Sequence, residues 1–395
     1  MRPLEGVRIL SIEQYGAGPF ATSHLADLGA EVIKIEDPGT QGEVSRFVIP
    51  YAENGDSLFF QTFNRNKKSI SLNLKSDAGK ELFHELVKQS DAVFNNLRGD
   101  VPEKLGITYQ ALKAINPQIV TCSLSGFGTY GSMKSEPAYD YLLQGMLGHM
   151  SLTGEPGGVP TKYGISIIDF STGMMAALGL MIGIFQSRIQ GKGCDIDVSL
   201  FDTALSELNY LATWHLNQGY KPERSRLSSH PTLVPSQLFP TKNGHIVVMC
   251  NKEKFFPILC EVLGATHLAR DLRFKNFSSR LENKELLIPE LIRLFEKEDT
   301  EVWLERLRGK VPIAPVNTVE KALQEPLIRE RGMIVEVEHE RFGKVKMLGT
   351  PIKVLGDQPD YKRGPQLGEH NLEIYGELLQ LTLSDLERYK AESII

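Results

Sequence analysis

One acidic side chain stands out in the segment "YGISIIDFSTG", residues 163–173. The three isoleucines before it predict a buried strand that ends on Asp169. A carboxylate at a strand end faces backbone amides and a helix dipole that can stabilise an oxyanion, so Asp169 is a candidate nucleophile. The same position also suits a helix cap made by Asp169 with Ser171 and Thr172. Taken alone, the segment favours capping.

A second candidate is a glycine-rich loop. The hexapeptide "GAGPFA" at 16–21 fits the G-x-G-x-x-A pattern of dinucleotide-binding loops, and Glu36 ends the next predicted strand, where an acid would bind a ribose. However, Pro19 lacks an amide that would face a pyrophosphate, and three residues separate the preceding strand from Gly16. An NAD-dependent oxidoreductase is therefore kept as an alternative function.

The N-terminal half alternates predicted strands and helices, which is typical of an α/β fold with a mostly parallel, doubly wound sheet. Strands are predicted at 7–12, 31–36, 69–74, 92–96 and 119–126, and helices at 19–29 and 76–90. Ligands of such sheets bind beyond the carboxyl ends of the strands. Asp169 is predicted to lie at such an end.

A chain of 395 residues exceeds what one hydrophobic core usually serves, so two domains are expected. Polar, turn-forming residues at 215–235 predict a linker. It separates the N-terminal part of the large domain, 1–214, from a smaller α+β domain, 236–325, that begins with a hairpin turning at 242–244. The remainder, 326–395, is predicted to complete the large domain with paired strands and a last helix.

The composition is ordinary, with 24% charged residues and a formal net charge of −5, so it gives no reason to expect nucleic acid or an anionic membrane as partner. Four cysteines lack metal-type spacing, and the N-terminus lacks the apolar core of a signal peptide. The apolar run 173–185 is too short to cross a bilayer and predicts a buried helix, whose Gly179 and Gly183 permit close approach of another backbone. We expect a reduced, cytoplasmic protein without a bound metal.

Eight segments, in order along the chain, resemble signature segments of the family III coenzyme A transferases, the superfamily of formyl-CoA and carnitine CoA-transferases and methylacyl-CoA racemase. They are "PLEGVRIL", "AGPFATSHLADLGAEVIKIE", "FNRNKKSISLNLK", "PAYDYLLQG", "IIDFSTGMMAALGLMIGIF", "DIDVSLFDTAL", "PIAPVNTVEKAL" and "LGEHN". The resemblance implies that Asp169 is the nucleophile. It also implies a Rossmann-like large domain with a smaller domain, and an interlocked-ring homodimer.

The resemblance further implies that a coenzyme A thioester binds as substrate, with no tightly bound cofactor. The residues expected around it are Gly16, Ala17, Leu72, Asn73, Leu74, Lys75, Asn96, Leu97, Arg98, Lys104 and Tyr139. Asp37 stands where some members place an arginine near the adenine end. His370, in "LGEHN", is expected to have a structural role.

Tyr139 lies where the related racemases carry a histidine. A tyrosine, with a pKa of about 10, is a poor base for removing a proton from carbon, so transfer is favoured and methylacyl-CoA racemase is kept as an alternative. A non-catalytic thioester binder is a further possibility. Backbone amides around Gly126, Gly128 and the start of the 173 helix are expected to stabilise the oxyanion.

The expected reaction is transfer of coenzyme A from an acyl-CoA, with succinyl-CoA assumed as donor, to a free carboxylic acid through a covalent aspartyl intermediate. A carboxylate that attacks a thioester expels a thiolate, which is a good leaving group and needs no general acid.

Overall fold

The computed structural model describes residues 2–395 and divides them into two compact units. One unit contains the residues up to Leu147 together with Tyr163–Tyr210 and Leu327–Ile395, and the other contains Gly148–Lys162 and Leu211–Pro326. No sequence pattern indicated that the segment 148–162 groups with the second unit. The predicted linker and domain limits stay predictions.

Six parallel strands form the sheet of the first unit, in the order β3-β2-β1-β4-β5-β6. They are β1 (Arg8–Ile12), β2 (Glu31–Glu36), β3 (Lys68–Ser71), β4 (Ala92–Asn95), β5 (Val120–Ser125) and β6 (Asp195–Ser199). The remaining labelled strands are β7 (Ser236–Pro240), β8 (His245–Met249), β9 (Ile313–Pro315), β10 (Ile334–His339) and β11 (Gly343–Leu348). A two-residue pair, Ala52–Glu53 and Asp56–Ser57, lies between β2 and β3. The predicted parallel α/β sheet is confirmed.

The α-helices of the described residues connect these strands. They are α1 (Ala17–Asp27), α2 (Leu58–Asn64), α3 (Asp77–Lys88), α4 (Val101–Leu105), α5 (Tyr109–Leu112), α6 (Asp140–Met146), α7 (His149–Leu152), α8 (Ile167–Gln190), α9 (Leu200–Glu207), α10 (Asn209–Gln218), α11 (Phe255–Val262), α12 (Thr266–Arg270), α13 (Phe277–Glu282), α14 (Lys284–Phe295), α15 (Thr300–Leu307), α16 (Val319–Ala322), α17 (Pro326–Glu330) and α18 (Leu383–Ala391). Short 3₁₀ turns lie at Pro38–Thr40, Val44–Phe47, Arg226–Ser228 and Leu272–Phe274, and a π-helical turn at Leu372–Leu378.

The sheet is wound in two directions from its middle. The chain runs from β1 outward to β2 and β3, and then returns to the other side of β1 for β4, β5 and β6. The strand order therefore reverses between β1 and β4, and the crevice at that point is where open α/β sheets bind ligands. The loops that follow β1 and β4 therefore border the crevice where a ligand is expected.

The predicted strand before Asp169 is wrong. Residues from Ile167 onward form α8, and Asp169 lies in its first turn. A short run of apolar residues does not distinguish a buried strand from a buried helix, and here the small residues that follow continue the helix.

Helix α8 is 24 residues long and extends at both ends beyond the apolar run 173–185. By length and apolar composition alone α8 meets the requirement for a membrane span, a test that core helices of folded domains also pass, and 44% of its most apolar stretch is buried here. Its glycines face the sheet, and a Cβ at Gly183 would lie 2.6 Å from Ile196 Cδ1 and 2.7 Å from Val120 Cγ1. The close neighbours are therefore side chains of the strands, and not the backbone that the sequence predicted.

The second unit contains the antiparallel sheet β9-β8-β7, and the predicted hairpin between β7 and β8 is confirmed. Buried apolar side chains of this sheet and of α11 to α15, including Phe239, Phe295 and Trp303, form its core. Strands β10 and β11 make a separate two-stranded sheet in the first unit. The chain ends on Ile394 and Ile395, which are buried in the core beside β3 and α3.

Candidate active site

Two cavities of the first unit meet at Asp169. The first, here called the loop cavity, has a volume of about 210 Å³ and is lined by the loops after β1, β4 and β5. The second, here called the aromatic cavity, has a volume of about 360 Å³. Four residues line both cavities, namely Tyr15, Gly16, Tyr139 and Asp169. The Asp169 carboxylate is therefore reachable from two sides.

The Asp169 carboxylate is half-buried and accepts no hydrogen bond from residues 2–395. Its burial, and then the charge of Asp140, raise the pKa of Asp169 to about 7. A carboxylate without donors is weakly stabilised as an anion, and its basicity makes it a better nucleophile than an exposed acid of ordinary pKa. The pKa also places its ionisation near neutral pH.

Asp140, at the start of α6, caps the N-terminus of α8. Its Oδ2 accepts the N–H of Ile168 at 2.8 Å and that of Asp169 at 3.1 Å, and its Oδ1 accepts the side-chain amide of Gln144. Gln144 Oε1 in turn accepts the N–H of Tyr163 at 2.8 Å. The interpretation of Asp169 as a cap is therefore wrong, because Asp140 already satisfies the first-turn amides and leaves Asp169 facing the cavities.

The start of α8 approaches α1 closely. A Cβ at Gly173 would lie 2.7 Å from the backbone oxygen of Ala17, so only glycine permits this approach. A Cβ at Gly16 would lie 3.9 Å from Asp169 Oδ2, which is an ordinary contact. The glycines of the loop thus bring the first turn of α1, with amides that have no partner within the helix, beside the acid.

Six of the eleven residues that the resemblance places around a thioester line the loop cavity with Asp169. They are Gly16, Ala17, Asn96, Leu97, Arg98 and Tyr139. Asn96 also fixes the loop, because its Oδ1 accepts the N–H of Gln14 and its Nδ2 donates to the Gln14 oxygen, both at 2.8 Å. The structure therefore assembles these residues from three separate parts of the chain.

The other five expected residues lie outside both cavities. Leu72 and Leu74 are buried in the core, and Asn73 Oδ1 accepts the N–H of Lys75 at 3.0 Å. Lys75 reaches Asp37 at 3.2 Å with a side chain 76% exposed, and Lys104 pairs with Asp100 with a side chain 67% exposed. These two cations lie at the surface.

The structure does not leave all of the backbone amides that were predicted to stabilise an oxyanion free to do so. The N–H of Gly128 donates to Ser125 Oγ at 2.9 Å, and Gly173 lies inside α8 rather than at its start, so neither is a free donor. Gly126 lines the loop cavity. Ala17, in the first turn of α1, also lines the loop cavity, and first-turn amides have no partner within their helix.

Glu36 is not available to a ribose. Both of its carboxylate oxygens bind Arg46, at 2.7 and 2.6 Å, and they also accept the Glu43 N–H and the Ser69 hydroxyl. The side chains of Glu36 and Arg46 are almost fully buried. This pair is a structural ion pair behind the loop, which removes the acid on which the NAD interpretation depends.

His370 binds the edge of the sheet. Its ring Nδ1 accepts the backbone N–H of Ser69 at 3.2 Å, and its backbone N–H donates to the backbone oxygen of Ser69 at 2.9 Å. Among residues 2–395, no cluster of three or more His, Cys, Asp or Glu side chains has the arrangement of a metal site.

Sequence reasoning missed several residues of the site. Asp140 follows Tyr139 in "PAYD", but its capping role depends on α6 lying beside α8. The rings of Tyr15, Phe59 and Phe170 come from distant segments, and only the folded chain shows that they line one cavity. The single available signal was the aromatic content of "SLFFQTFN", which a buried helix explains equally well.

The sequence model of CoA-transferase family III matches residues 4–371. The chain belongs to this family. It is 34% identical over 385 residues, 96% of this chain and 87% of the relative, to succinyl-CoA:glutarate CoA-transferase of Homo sapiens. It is 36% identical over 372 residues, 93% of each chain, to acetyl-CoA:oxalate CoA-transferase of Acetobacter aceti. The chain is thus a CoA-transferase, which moves coenzyme A between an acyl-CoA and a carboxylic acid.

Solved structures agree with this assignment. A CaiB/BaiF family protein from Brucella suis is 34% identical and superposes with a TM-score of 0.81, covering 95% of this chain and 99% of that protein. A protein from Mycobacterium tuberculosis is 27% identical with a TM-score of 0.83, covering 94% and 98%.

Proposed function

We propose that this enzyme transfers coenzyme A through a covalent intermediate on Asp169. The observation that carries the proposal is the position of this carboxylate: it has no donor, lies at the meeting point of two cavities and has a pKa raised to about 7. One cavity can hold the thioester sulfur and its pantetheine arm, while the other holds the acyl group.

The reaction proceeds in balanced steps. An oxygen of Asp169 attacks the thioester carbon, the C–S bond breaks, and the products are a mixed anhydride and the coenzyme A thiolate. The thiolate attacks the aspartyl carbonyl of the anhydride, which releases the donor acid and leaves an aspartyl thioester. The acceptor carboxylate then attacks that thioester and expels the thiolate, which gives a second mixed anhydride. The thiolate attacks the acceptor carbonyl of this anhydride, which yields the new acyl-CoA and free Asp169.

Each tetrahedral intermediate carries a negative oxygen. The first-turn amides of α1 at Ala17 and Gly18, together with Gly126 beside β5, are the proposed donors to that oxygen. Tyr139 is proposed to line the thioester site rather than to act as a base, because no step of the transfer removes a proton from carbon.

The eleven expected residues around the thioester remain the proposed coenzyme A site. Arg98 supports this, because it lines the loop cavity with a side chain 47% exposed. Lys75 and Lys104 are proposed to bind phosphates from the surface, where their present partners Asp37 and Asp100 leave them exposed. Coenzyme A is a substrate in this scheme, and no tightly bound cofactor is proposed.

Succinyl-CoA is the proposed donor, and its support is the 34% identity to the human succinyl-CoA:glutarate CoA-transferase. The test is a panel of acyl-CoA donors against free carboxylic acids, with exchange followed by mass spectrometry and the intermediate trapped as a hydroxamate by hydroxylamine. The peptide that contains Asp169 should carry the hydroxamate only after incubation with donor.

The Asp169→Asn variant should lose both exchange and trapping, by at least 1,000-fold in rate, if the carboxylate is the nucleophile (about 4 kcal/mol). The matched control is Asp77→Asn, since Asp77 is also a first-turn acid of a helix, α3, but is fully exposed. A hydroxamate on another residue, or full exchange by Asp169→Asn, would contradict the proposal.

A homodimer, interlocked as in the family, is also proposed. The support is a stripe of exposed apolar side chains along one face of α8, at Met174, Leu178, Ile182, Phe185 and Ile189. Phe185→Arg should prevent the dimer from assembling, so that the expressed variant sediments as a monomer, and a wild-type monomer would contradict the dimer. A bilayer would also cover this apolar face of the 24-residue helix α8. Flotation with phosphatidylcholine vesicles tests that membrane alternative.

The cytoplasm is the proposed location. Its support is the set of four unpaired cysteines, of which Cys122, Cys250 and Cys260 are buried.

A further inference from the structure

The aromatic cavity is built from rings that contact one another in sequence. The ring centroids of Tyr15 and Phe59 are 5.2 Å apart, those of Phe59 and Phe63 are 5.2 Å apart, and those of Phe63 and Phe170 are 6.0 Å apart. Among the lining residues there is no lysine or arginine. Such a wall contacts the carbon atoms of a ligand.

Tyr15 occupies the boundary between the two cavities. It lines both of them, and its side chain is 44% exposed in this structure. A ligand that spans the cavities, with its sulfur on one side of Asp169 and its carbon chain on the other, must therefore pass the Tyr15 ring. The ring is therefore one wall of the space that this carbon chain occupies.

The backbone of Tyr15 is strained. Its φ is 65°, in the left-handed region where a residue with a side chain is uncommon and costs about 1–3 kcal/mol. Because glycine adopts this conformation without strain, the presence of a large aromatic residue here points to a role for its side chain.

A buried ion pair holds Tyr15 in this conformation. The N–H of Tyr15 donates to Glu43 Oε2 at 2.9 Å, and Glu43 Oε1 lies 3.1 Å from Lys34 Nζ. Lys34 is itself fully buried and donates to the Glu13 oxygen at 3.0 Å. Charged groups in such a rigid setting fix the Tyr15 amide, and therefore the direction of its Cα–Cβ bond, more firmly than a loop alone would.

We propose that Tyr15 determines which acyl group the enzyme accepts, and that Glu43 is a positioning residue that acts through the Tyr15 amide. The inference rests on the proposed function, because it assumes that the acyl group transferred to Asp169 lies in the aromatic cavity. The substrates it assigns are compact acyl groups whose carbon atoms lie against the Tyr15 and Phe59 rings, whereas groups as bulky as a phenyl-substituted chain are excluded by the Tyr15 ring.

The experiment compares two acceptor acids, glutarate and 3-phenylpropanoate, with one common acyl-CoA donor. In Tyr15→Gly, which removes the ring and also the strain, kcat/KM for the phenyl acid relative to glutarate should rise at least tenfold, chiefly through KM. Tyr15→Phe retains the ring and should keep the wild-type ratio. The matched control Tyr130→Gly alters a tyrosine that is 76% exposed and lines neither cavity, and it should keep the ratio as well.

Glu43→Gln tests the positioning role. It should shift the ratio in the same direction, by about threefold, in the presence of Tyr15 and should have no further effect in the Tyr15→Gly background. A Glu43→Gln effect that persists without the Tyr15 side chain would show a general structural role and overturn the positioning role.

Trapping with hydroxylamine separates the possible failures. If wild-type Asp169 forms the hydroxamate but Tyr15→Gly keeps the wild-type ratio, the inference about Tyr15 is overturned while the proposed function stands. If Asp169 forms no hydroxamate although exchange occurs, the proposed function is overturned and this inference with it.

Discussion

Replacing Asp140 by asparagine should move the pH dependence of the reaction to lower pH. In the folded chain the pKa of Asp169 is raised from 3.8 to about 7, first by burial and second by the negative charge of Asp140. Asparagine removes that charge but keeps a carbonyl oxygen that can accept a first-turn amide of α8. Because burial is the larger cause, the charge accounts for less than half of the shift, or about one pH unit.

The sign follows from the role of Asp169 as a nucleophile, which requires the ionised carboxylate. With a pKa of about 7 the wild-type rate should rise as pH increases through 7 and level off above about pH 8. With the pKa lowered by about one unit, the ionised fraction at pH 6 rises from about 9% to about 50%. Relative to its own plateau, kcat/KM of Asp140→Asn at pH 6 should therefore be about fivefold higher than that of the wild type.

The assay is kcat/KM for transfer of coenzyme A from the donor acyl-CoA to a labelled carboxylic acid, measured from pH 5 to pH 9. The midpoint of the profile is independent of the plateau height, so a lower plateau caused by the weakened cap does not obscure it. Asp77→Asn should keep the wild-type midpoint, since Asp77 is fully exposed. A folded Asp140→Asn enzyme whose midpoint stays in place or moves upward would refute the reasoning about the two carboxylates.

Three further results are expected. Gly16→Ala should fold normally, because the new Cβ lies 3.9 Å from Asp169 Oδ2, which is an ordinary contact. Its kcat/KM should nevertheless fall by about tenfold, because the methyl group enters both cavities, and an unchanged kcat/KM would contradict the site geometry. Gly18→Ala should instead lower the free energy of unfolding by about 1–3 kcal/mol in urea titrations, because its Cβ would lie 2.6 Å from Asn96 Cγ. Lys67→Met should lower the free energy of unfolding by about 3–5 kcal/mol, because buried Glu13 loses the ammonium group 2.6 Å away. Adding Glu13→Gln should recover part of that loss, and a double variant whose effects are purely additive would contradict the pairing.

The alternation of apolar strands and amphipathic helices determined the fold class from the sequence alone. The strands around Leu10, Ile33 and Val93 were predicted correctly because each is a short run rich in β-forming residues next to a segment with helical periodicity. The same method failed before Asp169, where a short isoleucine run fits a buried strand and a buried helix equally well. The chemical identity of Asp169 as the candidate nucleophile also came from the sequence, through the order of eight segments along the chain.

Only the tertiary structure decided what surrounds that acid. Asp140 caps α8 because α6 lies beside it, and this contact leaves the Asp169 carboxylate without a donor. The ring of Tyr15 meets that of Phe59 although 44 positions separate them in the sequence. Side-chain types follow from the sequence, whereas burial, pKa and the shape of a cavity depend on which distant residues the packed elements bring into contact.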